Sequence, residues 1–460
     1  MQREIYRKLG RLAPAITIAT IGILLCGSAR AAELEAYRKL WRDPAIVQRI
    51  QDNIEKHRKG DATIEIVGQD GRPVAAARLE VRQQSHAFLF GCNAFVLGQF
   101  DTPAKNRKYE EAFLRLFNFA TVPFYWEGTE PTQGELRYAE GSRDIWRRPP
   151  ADRYPPWAKA HGVTLKGHPL LWHAYNPPWL PHDAAELKRL YQKRFDEISS
   201  RYASAIKIFD VVNESIVCSK KYPLYTPDLA YVEWAFRQAA PRFRPDNVLM
   251  INEVTEVSHE PGENRYYQQV AGMIGRGVRV NGIGFQFHLF SDKRYNGLVQ
   301  GVEFAPKLLG DVYDKFAELN CPLFITEITV PQKAAGPEGE ALQAELTANL
   351  YRLWFSAPRM AGITWWNLGD GTAVKGENKF RGGLADDKLD PKAAYRALDK
   401  LINGEWKTQT SAQTGSDGRA CFRGFYGKYL VKVAAGGRTR EFQIDLSREG
   451  RSPYKLVWKP

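Results

Sequence analysis

The stretch KIFDVVNES, residues 207–215, has the composition of a strand that is buried on both faces. Apolar residues fill most of it, and the run ends in an Asn-Glu pair, Asn213 and Glu214. A second stretch, NVLMINEV at 247–254, has the same form and ends its apolar run in Asn-Glu, with Glu253. Such strands are typical of parallel sheets covered by helices, in which functional side chains follow the carboxyl ends of the strands. Both glutamates are therefore candidates for chemistry, and the local pattern does not choose between them.

Eight apolar runs of this kind lie between residues 86 and 402, and amphipathic segments such as 184–203 separate most of them. The runs are HAFLFGC (86–92), FNFATVPF (117–124), TLKGHPLLW (164–172), KIFDVVNE (207–214), NVLMINE (247–253), GIGFQFHL (282–289), PLFITEITV (322–330) and GITWWNLGD (362–370). Strands that alternate with helices predict a parallel sheet within an α/β fold. Eight such units predict a (β/α)₈ TIM barrel over 86–402, since these barrels usually need about 250 residues.

The segments on either side of the predicted barrel have a different pattern of apolar and polar residues. Residues 32–85 predict a helix at 43–60, followed by a β-hairpin about the turn QDG. Residues 405–460 alternate apolar and polar side chains and predict a small all-β, sandwich-like module. We expect a structural role for this module, because no cluster of exposed aromatic residues stands apart from its strand pattern.

Residues 1–31 combine a basic start, an apolar middle and a small-residue end, the pattern of a secretory signal peptide. We therefore expect export to the periplasm or the medium, with no stable membrane insertion after the signal is removed. Five Lys/Arg and one Glu lie in this segment, which leaves +9 of the formal charge of +13 for the rest. No basic run with interleaved aromatic residues indicates a nucleic-acid site, and the chain is expected to be a monomer.

The residues that end the apolar runs predict the chemistry of the barrel mouth. They are His168, Trp172, His173, Asn213, Glu214, Asn252, Glu253, Gln286, His288, Glu327, Trp365, Trp366 and Asp370. Two carboxylates that flank a bond are what glycoside hydrolysis requires, while amides, imidazoles and indoles suit the hydroxyls and the apolar face of a sugar. The histidines and cysteines lack metal-site spacing, so neither a metal nor another cofactor is expected.

Topology alone leaves the partner of Glu214 open. Strands four and seven face one another across an eight-stranded ring, so Glu214 and Glu327 can approach each other over its mouth. Glu253, on strand five, is nearer to Glu214 around the ring. Spacing therefore permits either carboxylate as the partner.

Six segments resemble, in order, the signatures of family-10 glycoside hydrolases, the endo-xylanase family. They are GHPLLWH, FDVVNE, GIGFQFHL, FITEITV, GITWWNLGD and DPKAAY, and the resemblance runs from roughly 86 to 402. It implies that Glu214 is the general acid/base and Glu327 the nucleophile of a retaining double displacement, with Glu253 outside the catalytic pair. It also implies a set of substrate-binding residues: His168, Trp172, Asn213, Gln286, His288 and Trp366.

The chain departs from the pattern of that family in three places. The second strand of the family usually ends in an Asn and a Lys that bind the sugar two positions from the cleaved bond. In this chain the corresponding residues are Val122 and Tyr125. The Asp that usually supports the histidine on strand six is Thr329. The loop at 371–383 lacks the usual tryptophan and carries three basic residues. These changes bear on the choice of sugar rather than on the catalytic pair.

The leading prediction is an exported retaining hydrolase that cleaves internal β-1,4-xylosidic bonds of the polysaccharide xylan. One alternative is a retaining hydrolase of a different or decorated β-glycoside, motivated by the altered second strand and the basic eighth loop. Another is a catalytically inactive barrel that only binds carbohydrate. The presence of both Glu214 and Glu327 argues against that last alternative, because binding alone does not need two carboxylates.

Overall fold

The computed structural model describes residues 34–256, 262–450 and 452–459. The predicted signal peptide lies outside the described residues. The described chain begins with two helices and two strands: α1 (34–41), α2 (Pro44–Arg58), β1 (Lys59–Gly68) and β2 (Arg78–His86). Asp43 caps α2 by accepting a hydrogen bond from the Ala45 amide at 2.8 Å, and a proline follows in the first turn, as the sequence predicts.

All eight predicted apolar runs contain a strand, and these strands form one closed parallel barrel. They are β3 (Leu89–Asn93), β4 (Phe119–Pro123), β5 (Thr164–His168), β7 (Ile208–Asn213), β8 (Val248–Val254), β9 (Gly282–His288), β10 (Leu323–Thr329) and β11 (Met360–Trp365), with the short β6 (Leu171–Trp172) after β5. Around the barrel, hydrogen-bonded neighbours follow the order β5, β4, β3, β11, β10, β9, β8 and β7. Pairing of Lys166 with Ile208 joins β5 to β7 and closes the ring. The predicted (β/α)₈ barrel is confirmed.

Helices surround the barrel and explain why its strands are almost wholly apolar. Every residue of β7 and β10 is buried, because one face fills the barrel interior and the other packs against helices. The helices that follow α2 are α3 (Pro103–Leu116), α4 (Trp126–Thr129), α5 (Tyr154–His161), α6 (Ala184–Tyr202), α7 (Ala230–Ala239), α8 (Arg265–Gly275), α9 (Asp292–Gln300), α10 (Pro306–Ala317), α11 (Gly336–Ser356) and α12 (Ala393–Lys400). Within the described ranges, no helix is long and apolar enough to cross a membrane.

The carboxyl-terminal segment forms five further strands. These are β12 (Gln409–Gln413), β13 (Arg419–Phe425), β14 (Gly427–Ala435), β15 (Arg438–Leu446) and β16 (Tyr454–Trp458). Strand β1 lies between β13 and β16 in a three-stranded sheet, while β2 lies between β12 and β14 in a four-stranded sheet that ends in β15. The two predicted flanking segments therefore contribute strands to one β-sandwich.

The predicted turn at QDG is present, with an antiparallel bridge between Val67 and Pro73 across it, but the predicted pairing of β1 with β2 as a hairpin is wrong. The two strands are present, but each belongs to a different sheet of the sandwich. A lone two-stranded hairpin has no second layer to cover its apolar face. The sandwich supplies that layer, because Ile64 and Ile66 of β1 and Leu79 and Val81 of β2 are buried with Val431 of β14 in one core.

The sandwich is attached to the amino-terminal end of the barrel. Trp406 stacks on Phe355 of α11 with ring centroids 4.1 Å apart. Arg58, the last residue of α2, donates hydrogen bonds to the carbonyls of Phe355 and Ala357. The sandwich consequently lies opposite the carboxyl ends of the barrel strands, away from the mouth.

Candidate active site at the carboxyl ends of the strands

The structure brings the eight site residues predicted from sequence together at the mouth of the barrel. Five lie on barrel strands, Trp172 is on β6, Glu214 directly follows β7 and Trp366 directly follows β11. The five on barrel strands are His168 on β5, Asn213 on β7, Gln286 and His288 on β9, and Glu327 on β10. Parallel strands in a closed ring place all of these positions at one end, as barrel topology requires.

Glu214 leaves strand β7 through a strained turn. Its φ of +55° lies in the left-handed region that non-glycine residues rarely occupy, and its amide donates to the Asn252 carbonyl at 2.9 Å. Its carboxylate accepts hydrogen bonds from Trp172 Nε1 at 3.1 Å and Gln286 Nε2 at 3.0 Å. Burial, and then the negative charge of Glu327, raise the pKa of Glu214 above its usual value. This carboxyl group is suited to carry a proton.

Glu327 is buried, with 4% of its surface exposed, and is held by nitrogen donors. Asn252 Nδ2 donates to its Oε1 at 2.8 Å and His288 Nε2 donates to its Oε2 at 3.1 Å. His168 Nε2 lies 3.8 Å from Oε1. Burial alone disfavours the charged form, but the charge of His168, the hydrogen bond and charge of His288, and the charge of Lys166 outweigh it and lower the pKa of Glu327 to about 2. This carboxylate is ionised at neutral pH.

A chain of amides connects the two carboxylates. Asn252 Nδ2 donates to Asn213 Oδ1 at 2.7 Å as well as to Glu327. Gln286 Nε2 donates to the same Asn213 oxygen at 3.2 Å and to Glu214. These amides fix the position of each carboxylate relative to the other. Asn252 was predicted to lie at the mouth, because it ends an apolar run, but it was assigned no catalytic or substrate-binding role.

A buried ion-pair network supports His168 from inside the barrel. Asp210 Oδ2 accepts hydrogen bonds from Lys166 Nζ at 2.7 Å and His168 Nδ1 at 2.6 Å. The lysine and aspartate side chains are 1% and 0% exposed. Neither Asp210 nor Lys166 was among the residues predicted to form the site. Across the described part of the chain, no group of three or more His, Cys, Asp or Glu side chains could hold a metal ion.

Thr329 takes over the support of His288 at a position that departs from the family pattern. The Thr329 hydroxyl and His288 Nδ1 share a hydrogen bond of 3.0 Å. Because the other ring nitrogen of His288 contacts Glu327, this hydroxyl fixes the orientation of the ring toward the carboxylate. A neutral hydroxyl therefore takes the position of the carboxylate that supports this histidine in the family pattern.

Glu253 has a supporting position behind Glu214. Its carboxylate accepts hydrogen bonds from the amides of Ile216 at 2.6 Å and Val254 at 2.8 Å. Burial is the main cause that raises the pKa of Glu253 to about 7. Since these bonds hold the backbone just after Glu214, the residue fixes the loop rather than contributing a second carboxylate to the mouth.

Aromatic side chains form the walls of the mouth. Trp366 meets the rings of His168 and His288 edge-on, with centroids 5.6 and 5.7 Å apart. Trp172 stacks on Tyr175 at 5.2 Å, with an angle of 27° between the ring planes. Such faces suit the apolar side of a pyranose ring.

Val122 and Tyr125, which differ from the family pattern at the end of the second strand, lie in different surroundings. Val122 is fully buried in the main core of the barrel. Tyr125 joins Phe95 and Trp366 in a small aromatic cluster at the mouth. The guanidinium carbon of Arg148 lies 3.7 Å from the Tyr125 ring centroid. The cation at this wall of the mouth thus comes from a loop rather than from the strand.

The geometry supports acid-base chemistry on a bond held between the two carboxylates. Glu214 has a raised pKa and Glu327 a lowered one, so the surroundings favour the protonated form at Glu214 and the anionic form at Glu327. Pairs of carboxyl groups whose environments separate their pKa values are the pattern of glycosidase sites.

Comparison with known proteins identifies the family and the fold. The family model for glycosyl hydrolase family 10 matches residues 98–401, about two thirds of the chain. Among solved structures, xylanase 10B from Thermotoga petrophila RKU-1 in complex with xylobiose matches with a TM-score of 0.56 and 24% identity, covering 69% of this chain and 95% of that one. Native xylanase 10B from Thermotoga maritima matches with a TM-score of 0.56 and 23% identity, covering 69% and 96%. These similarities confirm the fold.

Two curated relatives extend the comparison. Endo-1,4-beta-xylanase B of Thermotoga neapolitana is 27% identical over 315 residues, covering 65% of this chain and 85% of that protein. Anti-sigma-I factor RsgI6 of Acetivibrio thermocellus is 25% identical over 409 residues, covering 87% of this chain. The chain spans about half the length of the latter relative, 48%. The match of the family model over most of the barrel, together with the carboxylate pair at its mouth, shows that the chain belongs to glycosyl hydrolase family 10.

Proposed function

We propose that this chain cleaves internal β-1,4-xylosidic bonds of xylan with retention of anomeric configuration. The observation that carries the proposal is the pair of carboxyl groups at the barrel mouth, with Glu214 held by Gln286 and Trp172 and Glu327 held by Asn252 and His288. In keeping with these surroundings, the pKa is raised at Glu214 and lowered to about 2 at Glu327. A retaining mechanism needs one protonated acid and one ionised nucleophile across the bond. Relatives named endo-1,4-beta-xylanase support xylan as the substrate class.

In the first step, Glu327 attacks the anomeric carbon while the protonated Glu214 gives its proton to the departing glycosidic oxygen. A covalent glycosyl ester forms at Glu327, and the leaving sugar departs as an alcohol. His288 and Asn252, which donate to the two oxygens of Glu327, orient the carboxylate for this attack. Formation of the ester removes the negative charge of Glu327, which lowers the pKa of Glu214.

In the second step, Glu214 acts as a base. It takes a proton from water, whose oxygen attacks the anomeric carbon and releases the carboxylate of Glu327. Gln286 and Trp172 hold Glu214 in both steps through hydrogen bonds of 3.0 and 3.1 Å. We assign Asn213 and His168 to hydroxyls of the sugar bound at the point of cleavage, and Trp366 to its apolar face.

Three measurements test this proposal. Glu327→Ala should abolish hydrolysis of xylan while the circular dichroism spectrum is unchanged. Proton NMR of the first product should show the β anomer before mutarotation. Glu214→Ala should retain slow turnover of aryl β-xylosides with good leaving groups, and azide should accelerate it and form a β-glycosyl azide. Turnover by Glu327→Ala, or an α product, contradicts the assignment.

Export is a separate proposal that rests on residues 1–31. We propose that this segment directs the chain out of the cytoplasm and is removed, and that the mature protein acts as a monomer. Amino-terminal sequencing of protein recovered outside the cytoplasm should begin near residue 32. Recovery of unprocessed protein in the cytoplasm contradicts the first part, and a dimer in light scattering contradicts the second.

A further inference from the structure

Arg148 is a buried cation at the edge of the mouth with few partners. The residue is only 8% exposed, and its guanidinium carbon lies 3.7 Å from the Tyr125 ring centroid and 5.7 Å from that of Tyr175. Its Nη1 donates to the Arg147 carbonyl at 2.9 Å. Its ion pair with Glu127 is long, 3.9 Å, beyond hydrogen-bond distance. Burial of a guanidinium is costly unless its donors are used.

The neighbouring Arg147 uses its guanidinium differently, although the buried Nε of each arginine has no hydrogen-bond partner among the residues that the structure describes. Arg147 Nη1 donates to Asn367 Oδ1 at 2.7 Å and also to the Thr372 carbonyl. Arg148 has no such bonds to side chains within the described ranges: its Nη1 donates to the Arg147 carbonyl, and its Nη2 comes no nearer than 3.9 Å to the Glu127 carboxylate. Arg147 therefore ties two loops together, whereas Arg148 presents donors that nothing in the described chain fills.

The fold makes room for the Arg148 side chain and is strained around it. A Cβ at Gly128 would lie 2.8 Å from Arg148 Cδ, so only glycine leaves this space open. Arg147 and Tyr175, on either side of the guanidinium, have φ values of +63° and +52°. Strained backbone in non-glycine residues clusters at functional sites, and Glu214 shows the same feature.

Arg148 is linked to the catalytic pair through aromatic side chains of the mouth. The ring beneath it, Tyr125, is 5.5 Å from the His168 ring and 5.8 Å from the Trp172 ring. Trp172 donates to Glu214 and stacks on Tyr175, which is 41% exposed. A sugar ring that lies on the exposed face of Tyr175 would bring a substituent to the guanidinium.

We propose that Arg148, with Tyr175 as its platform, binds the carboxylate of a uronic acid unit on the glycan, so that the enzyme selects acidic over neutral chains. The inference rests on the proposed function. A guanidinium matches a carboxylate with two parallel hydrogen bonds, which a neutral hydroxyl cannot accept in the same way. A ligand carboxylate would replace the loose contact with Glu127, whose side chain is 42% exposed.

The charges around the site are compatible with an anionic ligand. Glu127 and Glu377 are the acidic groups that act on the arginine pair, Glu127 on Arg148 and Glu377 on Arg147. Burial raises the pKa of both carboxyls, against the opposing effect of the arginine charges. Within the described ranges, neither of these side chains is hydrogen-bonded to Arg148, so its Nη2 stays available to a ligand.

The test compares a xylo-oligosaccharide that carries one glucuronic acid substituent with the same oligosaccharide without it. The ratio of kcat/KM for the acidic over the neutral substrate is expected to fall about 10-fold or more in Arg148→Gln. Arg143→Gln removes an exposed cation from the same loop and should leave this ratio unchanged. Gly128→Ala displaces Arg148 without removing its charge and should lower the ratio in the same direction. An equal loss on both substrates in Arg148→Gln overturns the proposal.

A binding measurement separates this inference from the proposed function. Calorimetry with Glu327→Ala should show tighter binding of the acidic oligosaccharide than of the neutral one, and the difference should vanish when Arg148→Gln is added. If the protein hydrolyses xylan but shows no such difference, the uronate subsite is wrong and the proposed function stands. If it binds the acidic oligosaccharide through Arg148 but hydrolyses no xylan, the proposed function is wrong and the subsite stands.

Discussion

Replacement of Lys166 by methionine should destabilise the barrel far more than loss of a comparable surface lysine. Lys166 Nζ lies 2.7 Å from Asp210 Oδ2, and the two side chains are 1% and 0% exposed. Lys166→Met keeps the length of the side chain but leaves Asp210 with His168 as its only remaining partner of this network. Removal of one member of a buried ion pair costs about 3 to 5 kcal/mol, because the other charge stays buried.

The chain offers a matched control. Lys207 Nζ also lies 2.7 Å from an aspartate oxygen, that of Asp246, but the side chains are 53% and 48% exposed. Lys207→Met should cost less than about 1 kcal/mol, since water already solvates both charges. The two pairs differ mainly in burial, so the comparison isolates that factor. Denaturant unfolding at pH 7, followed by tryptophan fluorescence, gives both free energies of unfolding.

The same variant has an expected effect on catalysis. Lys166 is one of the cations that lower the pKa of Glu327 to about 2. Its loss raises that pKa, so the acid limb of the kcat/KM profile should move to higher pH in Lys166→Met and stay in place in Lys207→Met. Addition of Asp210→Asn to Lys166→Met should recover part of the stability, because no uncompensated carboxylate then remains. Equal destabilisation by the two lysine variants would refute the reasoning.

Three further predictions concern the supports of the site and the sandwich. Glu253→Gln should become more stable relative to the unchanged protein as the pH rises, by about 3 kcal/mol between about pH 4 and pH 8. The reason is that a carboxyl whose pKa rises from 4.5 to about 7 on folding loses native stability as it ionises. Denaturation at several pH values measures the difference in free energy of unfolding, and a difference that does not change with pH contradicts this. Thr329→Val should lower kcat/KM about 3- to 10-fold through loss of the 3.0 Å bond to His288, and unchanged kinetics would exclude that role. Removal of residues 407–460 should lower the thermal midpoint and cause aggregation, because β1 and β2 lose their partner strands; a soluble barrel with the same midpoint argues against this.

The sequence by itself determined the barrel and the positions of its site. Eight apolar runs separated by amphipathic segments can bury both faces of their strands only in a parallel sheet covered by helices. This pattern is visible in residues that are neighbours along the chain. Residues that follow strands at one end of a closed sheet must then meet, so Glu214 and Glu327 reach the same mouth whatever the details of packing. Neither conclusion depended on contacts between distant residues.

Only the tertiary structure decided which strands pair outside the barrel and how the charges of the site are balanced. Strands β1 and β2 have suitable patterns for a hairpin, but partners more than 300 residues away bury their apolar faces better. The separation of the two carboxyl pKa values likewise depends on the imidazoles, the amides and Lys166 around them, and Arg148 reaches the mouth from a loop. Pairing and electrostatics depend on distances across the fold, which the order of residues along the chain does not contain.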